Sequence, residues 1–134
     1  MNKKVQIILV DDNPTFMEGI VTYLKKTIDC EVVACYHSGR ALLEDIRKYR
    51  PDLILLDIEM PGLNGIETAR RLNFLNANLK LIAITLYQDN IYIKQLIEAG
   101  FRGFVSKNHV GENLLQVMDR VLRNDIVFPD IRII

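Results

Sequence analysis

The chain has 134 residues, 49% of them hydrophobic and 25% charged, which is the size and composition of one ordinary globular domain. Its 17 basic and 17 acidic residues balance, so no net charge attracts nucleic acid or an anionic membrane. The apolar runs are too short to span a bilayer or to form a signal peptide. We therefore expect a soluble, cytoplasmic domain with no membrane partner.

The first predicted elements are a buried strand over residues 5–10 and an amphipathic helix that begins at Pro14, a residue suited to the first turn. The apolar face of this helix is predicted from residues at helical spacing: Phe16, Ile20, Tyr23, Leu24 and Thr27. Met17 and Val21 lie off that stripe. We interpret them as scattered surface residues or, alternatively, as part of a partner or dimer face shared with the last helix.

A second strand is predicted over residues 31–36, and Ser38 is a good N-cap for the helix that follows. Cys30 and Cys35 lie in or beside this strand, five positions apart, where their side chains would point to opposite faces. A disulfide between them is therefore disfavoured, and no Cys-Cys-His metal spacing accompanies them. We interpret both as small thiols that are buried or half-buried.

The central feature of the sequence is a run of four apolar residues, 53–56, that ends directly in Asp57. A short continuous apolar run closed by the Pro61-Gly62 turn is typical of a parallel strand buried on both faces. Asn64 and Glu67 then resemble the capping box of a third helix, which is predicted to end near Asn73.

The remaining elements are a strand over residues 79–85, a helix, a strand over residues 101–106 and a last helix over residues 112–123. Asp89 or Asn90 is predicted to cap the fourth helix and Gly100 to end it. Its predicted buried face carries Ile93, Leu96 and Ile97, and that of the last helix carries Leu114, Leu115, Met118, Val121 and Leu122. Ile91 and Tyr92 lie off the first of these faces and form either surface scatter or a partner face.

Five strands that alternate with five helices predict an α/β fold, a doubly wound parallel sheet with the flavodoxin-like strand order 2-1-3-4-5. In this order the chain reverses direction between the first and third strands. Asp11 and Asp12 end the first strand and Asp57 ends the third, so three carboxylates meet in the crevice at that edge. Thr85, at the end of the fourth strand, and Lys107, after the fifth, approach the same edge.

Three crowded carboxylates need a neutralising charge, and an all-oxygen donor set without histidine or cysteine favours a hard cation, Mg²⁺ rather than Ca²⁺. A divalent ion, the Lys107 ammonium and the Thr85 hydroxyl around one carboxylate would form a pocket for a phosphoryl group. Asp57 is then the natural nucleophile and would become an aspartyl phosphate.

Four motifs at matching strand ends resemble the receiver domain of bacterial response regulators: Asp11-Asp12, Asp57 within "LLDIEMPGLNGIE", Thr85, and Lys107 after "GFVSK". The resemblance implies that Asp57 takes its phosphoryl group from a phosphohistidine of a sensor histidine kinase. It also implies that Asp12, Asp57 and the backbone carbonyl of Glu59 bind Mg²⁺ directly, while Asp11 acts mostly through water.

The same resemblance identifies Phe104 as the aromatic switch residue that follows the Thr85 hydroxyl, although the ring is equally consistent with an ordinary core residue. Phosphorylation would thereby shift the equilibrium of the face formed by the fourth helix, fifth strand and fifth helix.

"LVDDNPTFMEGI", "MPGLNGIE" and "VLRNDIVFPDI" are most similar to the subgroup with a C-terminal LuxR/NarL-type helix-turn-helix. We expect residues 1–124 to form the receiver domain and residues 125–134 a tail, or the start of a linker to an output domain that is absent here. The resemblance implies transcriptional regulation, with DNA bound only through that output domain, and allows a homodimer on phosphorylation. Such a domain catalyses its own phosphorylation and slow dephosphorylation and is not a conventional enzyme.

Positions 86, 87 and 108 bear on how closely the chain follows the family pattern, and alternatives stay open. Leu86 stands where the residue after the switch threonine is usually small, and Tyr87 occupies a position that tunes phosphate hydrolysis. Asn108 replaces a proline, so a cis peptide is not assumed. The alternatives are a degenerate receiver that acts as a phosphorylation-independent interaction module and, ranked last, a dehalogenase-like phosphatase, which needs Asp-x-Asp on its first strand.

Overall fold

A computed structural model describes residues 3–27, 29–86 and 90–128, with the side chains of residues 90–92 left out of the description. The five strands form one parallel sheet in the order β2-β1-β3-β4-β5, which confirms the predicted flavodoxin-like topology. The elements in chain order are β1 Val5–Val10, α1 Pro14–Thr27, β2 Cys30–Tyr36, α2 Gly39–Asp45, a 3₁₀ turn Ile46–Lys48, β3 Leu53–Leu56, α3 Gly65–Leu75, β4 Leu81–Thr85, α4 Asn90–Ala99, β5 Phe101–Ser106, a 3₁₀ turn Lys107–His109 and α5 Val110–Leu122.

Helices cover both faces of the sheet, so β3 and β4 are buried along their whole length. One core layer, the α2–α4 layer, packs α2, α3 and α4 against one face through Leu42, Ala69, Leu72 and Leu96. The other, the α1/α5 layer, packs α1 and α5 against the opposite face through Ile20, Leu24, Leu114 and Met118. No helix within the described ranges is long and apolar enough to cross a membrane.

Three of the predicted helix ends are confirmed. The Ser38 hydroxyl accepts a hydrogen bond from the Ala41 amide at 3.1 Å, and the Asn64 side chain accepts one from the Glu67 amide at 2.9 Å. Gly100 ends α4 with φ +103°, a conformation that favours glycine. α4 begins at Asn90, so of its two predicted caps Asn90 lies inside the helix. The other predicted cap, Asp89, and Tyr87 lie outside the described residues, and so do the side chains of the partner face of Ile91 and Tyr92.

Several predictions about individual faces were wrong. Met17 is only 5% exposed and packs in the α1/α5 layer, so it is a core residue and not part of a partner face. Ile97 is 44% exposed, whereas its helical spacing predicts a place on the buried face of α4. Cys35 is exposed, and not buried or half-buried as predicted, because β2 lies at the edge of the sheet. Cys30 and Cys35 are both free thiols, as predicted.

The segment after α5 returns along the free edge of β5. Asn124 adopts φ +72°, and the Asp125 amide donates to the Arg120 carbonyl, which is a Schellman ending of the helix. The Val127 amide then donates to the Arg102 carbonyl at 2.7 Å, and the Phe104 amide donates to the Val127 carbonyl at 3.1 Å. Phe128 packs against the α2–α4 layer, so residues 125–128 cover an edge that would otherwise be unpaired.

Candidate functional site

Asp57 lies at the carboxyl end of β3, beside the end of β1, where the chain changes direction across the sheet. Its amide donates to the Val10 carbonyl at 2.9 Å and so extends the strand ladder by one residue. The Gly65 amide donates to the Ile58 carbonyl at 2.9 Å, and a Cβ at position 65 would lie 2.2 Å from the Asp57 carbonyl oxygen. The start of α3 is therefore pressed against the backbone that carries Asp57.

The structure brings the three predicted carboxylates together. Ligand oxygens of Asp11, Asp12 and Asp57 all lie within 4.8 Å of one another. Asp11 and Asp57 are buried and Asp12 is exposed, so the cluster opens to solvent on one side. An oxygen-only set of this kind, open on one side, fits a hard cation such as Mg²⁺ that keeps several waters.

Lys107 supplies the positive charge at this cluster. Its Nζ lies 2.8 Å from Asp11 Oδ2 and 3.3 Å from Asp57 Oδ2, and its side chain is only 13% exposed. Burial alone would lower the pKa of Lys107, but the hydrogen bonds and charges of the two carboxylates raise it above its ordinary value. Lys107 is therefore a fixed cation, and its shorter contact is with Asp11 and not with Asp57.

Burial is the main reason why the pKa of Asp57 is raised to about 6, and the nearby charge of Asp11 raises it further. Lys107 and a backbone hydrogen bond from Glu59 act in the opposite direction. At neutral pH the group is still mostly ionised, which a nucleophilic carboxylate requires.

The other predicted site residues lie around the same edge. Thr85 is buried at the end of β4, in register with Ser106 on β5. Thr85, Glu59 and Leu86 line a cleft of about 490 Å³ together with Asp57 and Lys107. Leu86 is 62% exposed and stands at the rim of this cleft.

Phe104 lies on β5, two residues before Ser106. It pairs with Ala83 on β4 and is buried in the α2–α4 layer, so its ring belongs to the core in this conformation.

One contact at the site was not predicted. Phe16, which was assigned to the apolar face of α1, is half-buried, and its ring lies beneath the Lys107 ammonium, with Nζ 4.5 Å from the ring centroid. The position of Phe16 in the first turn of the helix that follows Asp11-Asp12 places it near the site, but helical spacing alone does not predict its contact with Lys107.

Comparison with known proteins shows the family of the chain. The family described as the response regulator receiver domain matches residues 7–119. The transcriptional regulatory protein DegU of Brevibacillus brevis is 32% identical over 115 residues, covering 86% of this chain and 49% of that protein. A nitrate/nitrite response regulator protein homolog of Haemophilus influenzae is 28% identical over 130 residues, covering 97% of this chain and 62% of its own length. The chain thus spans about half to three-fifths of these relatives.

Solved structures give the same result. A LuxR-family two-component response regulator from an Aurantimonas species superposes with a TM-score of 0.88 at 26% identity, covering 93% of this chain and 89% of that one. The receiver domain of NarL from Mycobacterium tuberculosis superposes with a TM-score of 0.79 at 28% identity, covering 92% and 97% of the two chains. The chain therefore belongs to the response regulator receiver domain family of two-component systems, and its relatives are regulators of the LuxR/NarL type.

Proposed function

We propose that this chain is a phosphorylation-activated receiver in which Asp57 accepts a phosphoryl group from a phosphohistidine of a sensor histidine kinase. The observation that carries the proposal is a buried, ionisable Asp57 at a cleft, with two further carboxylates and a fixed ammonium beside it. Receiver domains of this family are not conventional enzymes. The reaction here would be the chain's own phosphorylation and slow dephosphorylation.

The chemistry assigns a role to each residue. An Asp57 carboxylate oxygen attacks phosphorus, the P–N bond to the donor imidazole breaks, and its electron pair stays on the departing nitrogen. Lys107 offsets charge that develops on the phosphoryl oxygens, and the Thr85 hydroxyl would donate a hydrogen bond to one of them. Later attack by water would release phosphate and restore the Asp57 carboxylate.

Mg²⁺ is the metal that the donor set fits. Asp11, Asp12, Asp57 and the Glu59 backbone carbonyl would hold it, with Asp11 acting mostly through water. When bound, the ion supplies charge neutralisation for the carboxylates and the incoming phosphoryl group. Asp12 is the exposed member of the cluster, so it can take up a cation from solvent without a change in the core.

The signal would leave the site through β4 and β5. Thr85 pairs with Ser106, and Ala83 pairs with Phe104. The Thr85 hydroxyl, which a phosphoryl group would attract, therefore lies on β4 two residues after Ala83, the partner of Phe104. The buried ring would follow the hydroxyl and alter the face formed by α4, β5 and α5.

The regulatory output is a proposal about a protein longer than this chain. The curated relatives are named as transcriptional regulators or response regulators and are longer than this chain. We propose that residues 1–124 form the receiver and that the tail 125–134, whose first residues pack along β5, leads towards a helix-turn-helix output domain that binds DNA. A cytoplasmic protein that dimerises on phosphorylation would fit this output.

The test is intact mass spectrometry after incubation with acetyl phosphate and Mg²⁺. We expect one phosphate adduct that is lost in Asp57→Ala and in a sample treated with a chelator. Asp119→Ala, which removes an exposed carboxylate outside the site, serves as the matched control and should keep the adduct. An adduct that persists in Asp57→Ala would contradict the proposal.

One observation favours a second candidate, the phosphorylation-independent interaction module. Leu86 stands at the rim of the cleft, where its bulk would obstruct an approaching donor. If the folded wild-type chain takes no phosphate, Leu86→Ala separates the two candidates. Phosphorylation of that variant would indicate a receiver whose cleft is obstructed, and its absence would favour the interaction module.

A further inference from the structure

The Lys107 ammonium has a third partner besides its two carboxylates. Asp11 and Asp57 form ion pairs with it, and the centroid of the Phe16 ring lies 4.5 Å from Nζ. The face of an aromatic ring is electronegative and attracts a cation, most strongly where water is excluded. Lys107 is mostly buried, so the ring both attracts the ammonium and replaces water beside it.

The backbone of Phe16 is held by a chain of contacts that leads back to Lys107. Asp11 Oδ1 accepts a hydrogen bond from the Asn13 amide at 2.8 Å, and Asn13 Oδ1 accepts one from the Phe16 amide at 3.1 Å. The second contact is an N-terminal cap of α1, which Pro14 begins. The chain of contacts closes through Lys107, whose Nζ lies 2.8 Å from the other oxygen of Asp11.

We propose that Phe16 is a positioning residue for phosphoryl transfer. Its ring holds the Lys107 ammonium in place, so that the charge is ready when a phosphoryl group reaches Asp57. The inference rests on the proposed function of Asp57 and adds a residue to it. Asp11 has a second task here, because one of its oxygens holds the loop that carries Phe16 while the other holds Lys107.

The ring is needed for its electron distribution and not only for its volume. A leucine at position 16 would fill part of the same space against the α1/α5 layer but would offer no electronegative face to the ammonium. Lys107 would then sample more positions, and fewer encounters with a donor would find it in place.

The first test compares initial rates of phosphorylation by acetyl phosphate with Mg²⁺. We expect Phe16→Leu to be slower by about three- to tenfold and Phe16→Tyr to stay within about twofold of wild type. Tyr23→Leu is the matched control, because Tyr23 is a half-buried aromatic residue of the same helix whose hydroxyl donates to the Gly111 carbonyl, and its variant should keep the wild-type rate. Equal rates for Phe16→Leu and wild type would overturn the proposal.

A second test keeps the shape of the ring constant. Incorporation of fluorinated phenylalanines at position 16 weakens the negative ring face stepwise, so the rate should fall in the order phenylalanine, difluorophenylalanine, pentafluorophenylalanine. A rate that does not change along this series would show that only volume matters and would refute the positioning role.

A third measurement needs no phosphate donor and therefore separates this inference from the proposed function. In the NMR spectrum the ε-methylene protons of Lys107 should be shifted upfield by the ring in wild type, and Phe16→Leu should abolish the shift. If the shift is present but Asp57 takes no phosphate, the proposed function fails while the placement of Lys107 stands. If the shift is absent while Asp57 is phosphorylated, the proposed function stands and the role of Phe16 fails.

Discussion

Replacement of Asp57 by asparagine should make the protein more stable at neutral pH, although it removes the proposed nucleophile. Burial, together with the charge of Asp11, raises the pKa of Asp57 from its ordinary value of 3.8 to about 6. The native state therefore holds this proton more tightly than the unfolded chain does. As a consequence, the free energy of unfolding of the wild type falls as pH rises between these two pKa values. At pH values above both, Asp57 causes no further fall.

The size of the effect follows from the same values. A rise from 3.8 to about 6 corresponds to an upper limit of about 3 kcal/mol, and water in the adjoining cleft reduces it to about 2 kcal/mol. Asparagine does not ionise, so the free energy of unfolding of Asp57→Asn minus that of wild type should grow by about 2 kcal/mol between about pH 4 and about pH 7.

Urea unfolding at a series of pH values, with a chelator present, measures this difference. Asp119→Asn is the control, because that carboxylate is exposed, and its difference from wild type should not change in the same way. A difference between Asp57→Asn and wild type that stays flat with pH, or that falls as pH rises, would refute the electrostatic account of the site.

Three further predictions concern packing around the site. Gly65→Ala should lower the free energy of unfolding in urea by about 3 kcal/mol or more, because the new Cβ would lie 2.2 Å from the Asp57 carbonyl oxygen. Gly111→Ala is the control, because its new Cβ meets nothing within 4 Å and should cost nothing. Similar effects of the two substitutions would contradict this prediction. Phe128→Ala should cost about 1–2 kcal/mol and speed hydrogen exchange of the amides that pair the C-terminal segment with β5, and unchanged exchange would count against that pairing. Leu86→Ala should raise the rate of phosphorylation by acetyl phosphate and leave stability nearly unchanged, because Leu86 is 62% exposed; a slower rate would show that the side chain does not obstruct the cleft.

The topology was predictable because a few short runs determine it. Residues 5–10 and 101–106 were predicted with the bounds that the structure gives, since each carries a short apolar run, residues 7–10 and 103–105, that a polar residue follows. Five strands with right-handed crossovers leave few strand orders, and the commonest of them, 2-1-3-4-5, is the observed one and brings Asp11, Asp12 and Asp57 to one edge. The roles of these residues in chemistry stay predictions.

The rotation of each helix about its axis was less predictable. Apolar residues at positions 16, 17, 20 and 21 of α1 allow more than one buried face, and spacing does not choose between them. The structure buries Met17 together with Ile20 and Leu24, which also have helical spacing, and leaves Phe16 half-buried beneath Lys107. Lys107 is far from Phe16 in the sequence, so no local pattern contains that contact.

Element ends depended on side-chain hydrogen bonds. β4 begins at Leu81 and not at Leu79, because the Leu79 amide donates to the Asn76 carbonyl and the Asn78 amide to the Asn76 side chain. These bonds form a turn after α3 that hydrophobicity alone does not indicate. For the same reason α5 begins at Val110, directly after a 3₁₀ turn whose start is capped by the Ser106 hydroxyl.

The most direct test of the central claim is to locate the phosphate. After incubation with acetyl phosphate and Mg²⁺, borohydride reduces an aspartyl phosphate to homoserine, and peptide mass spectrometry identifies the residue that has changed. We expect homoserine at position 57 and at no other carboxylate of the cluster. Homoserine at position 11 or 12, or full phosphorylation with Asp57 unmodified, would contradict the assignment of Asp57 as the phosphoacceptor.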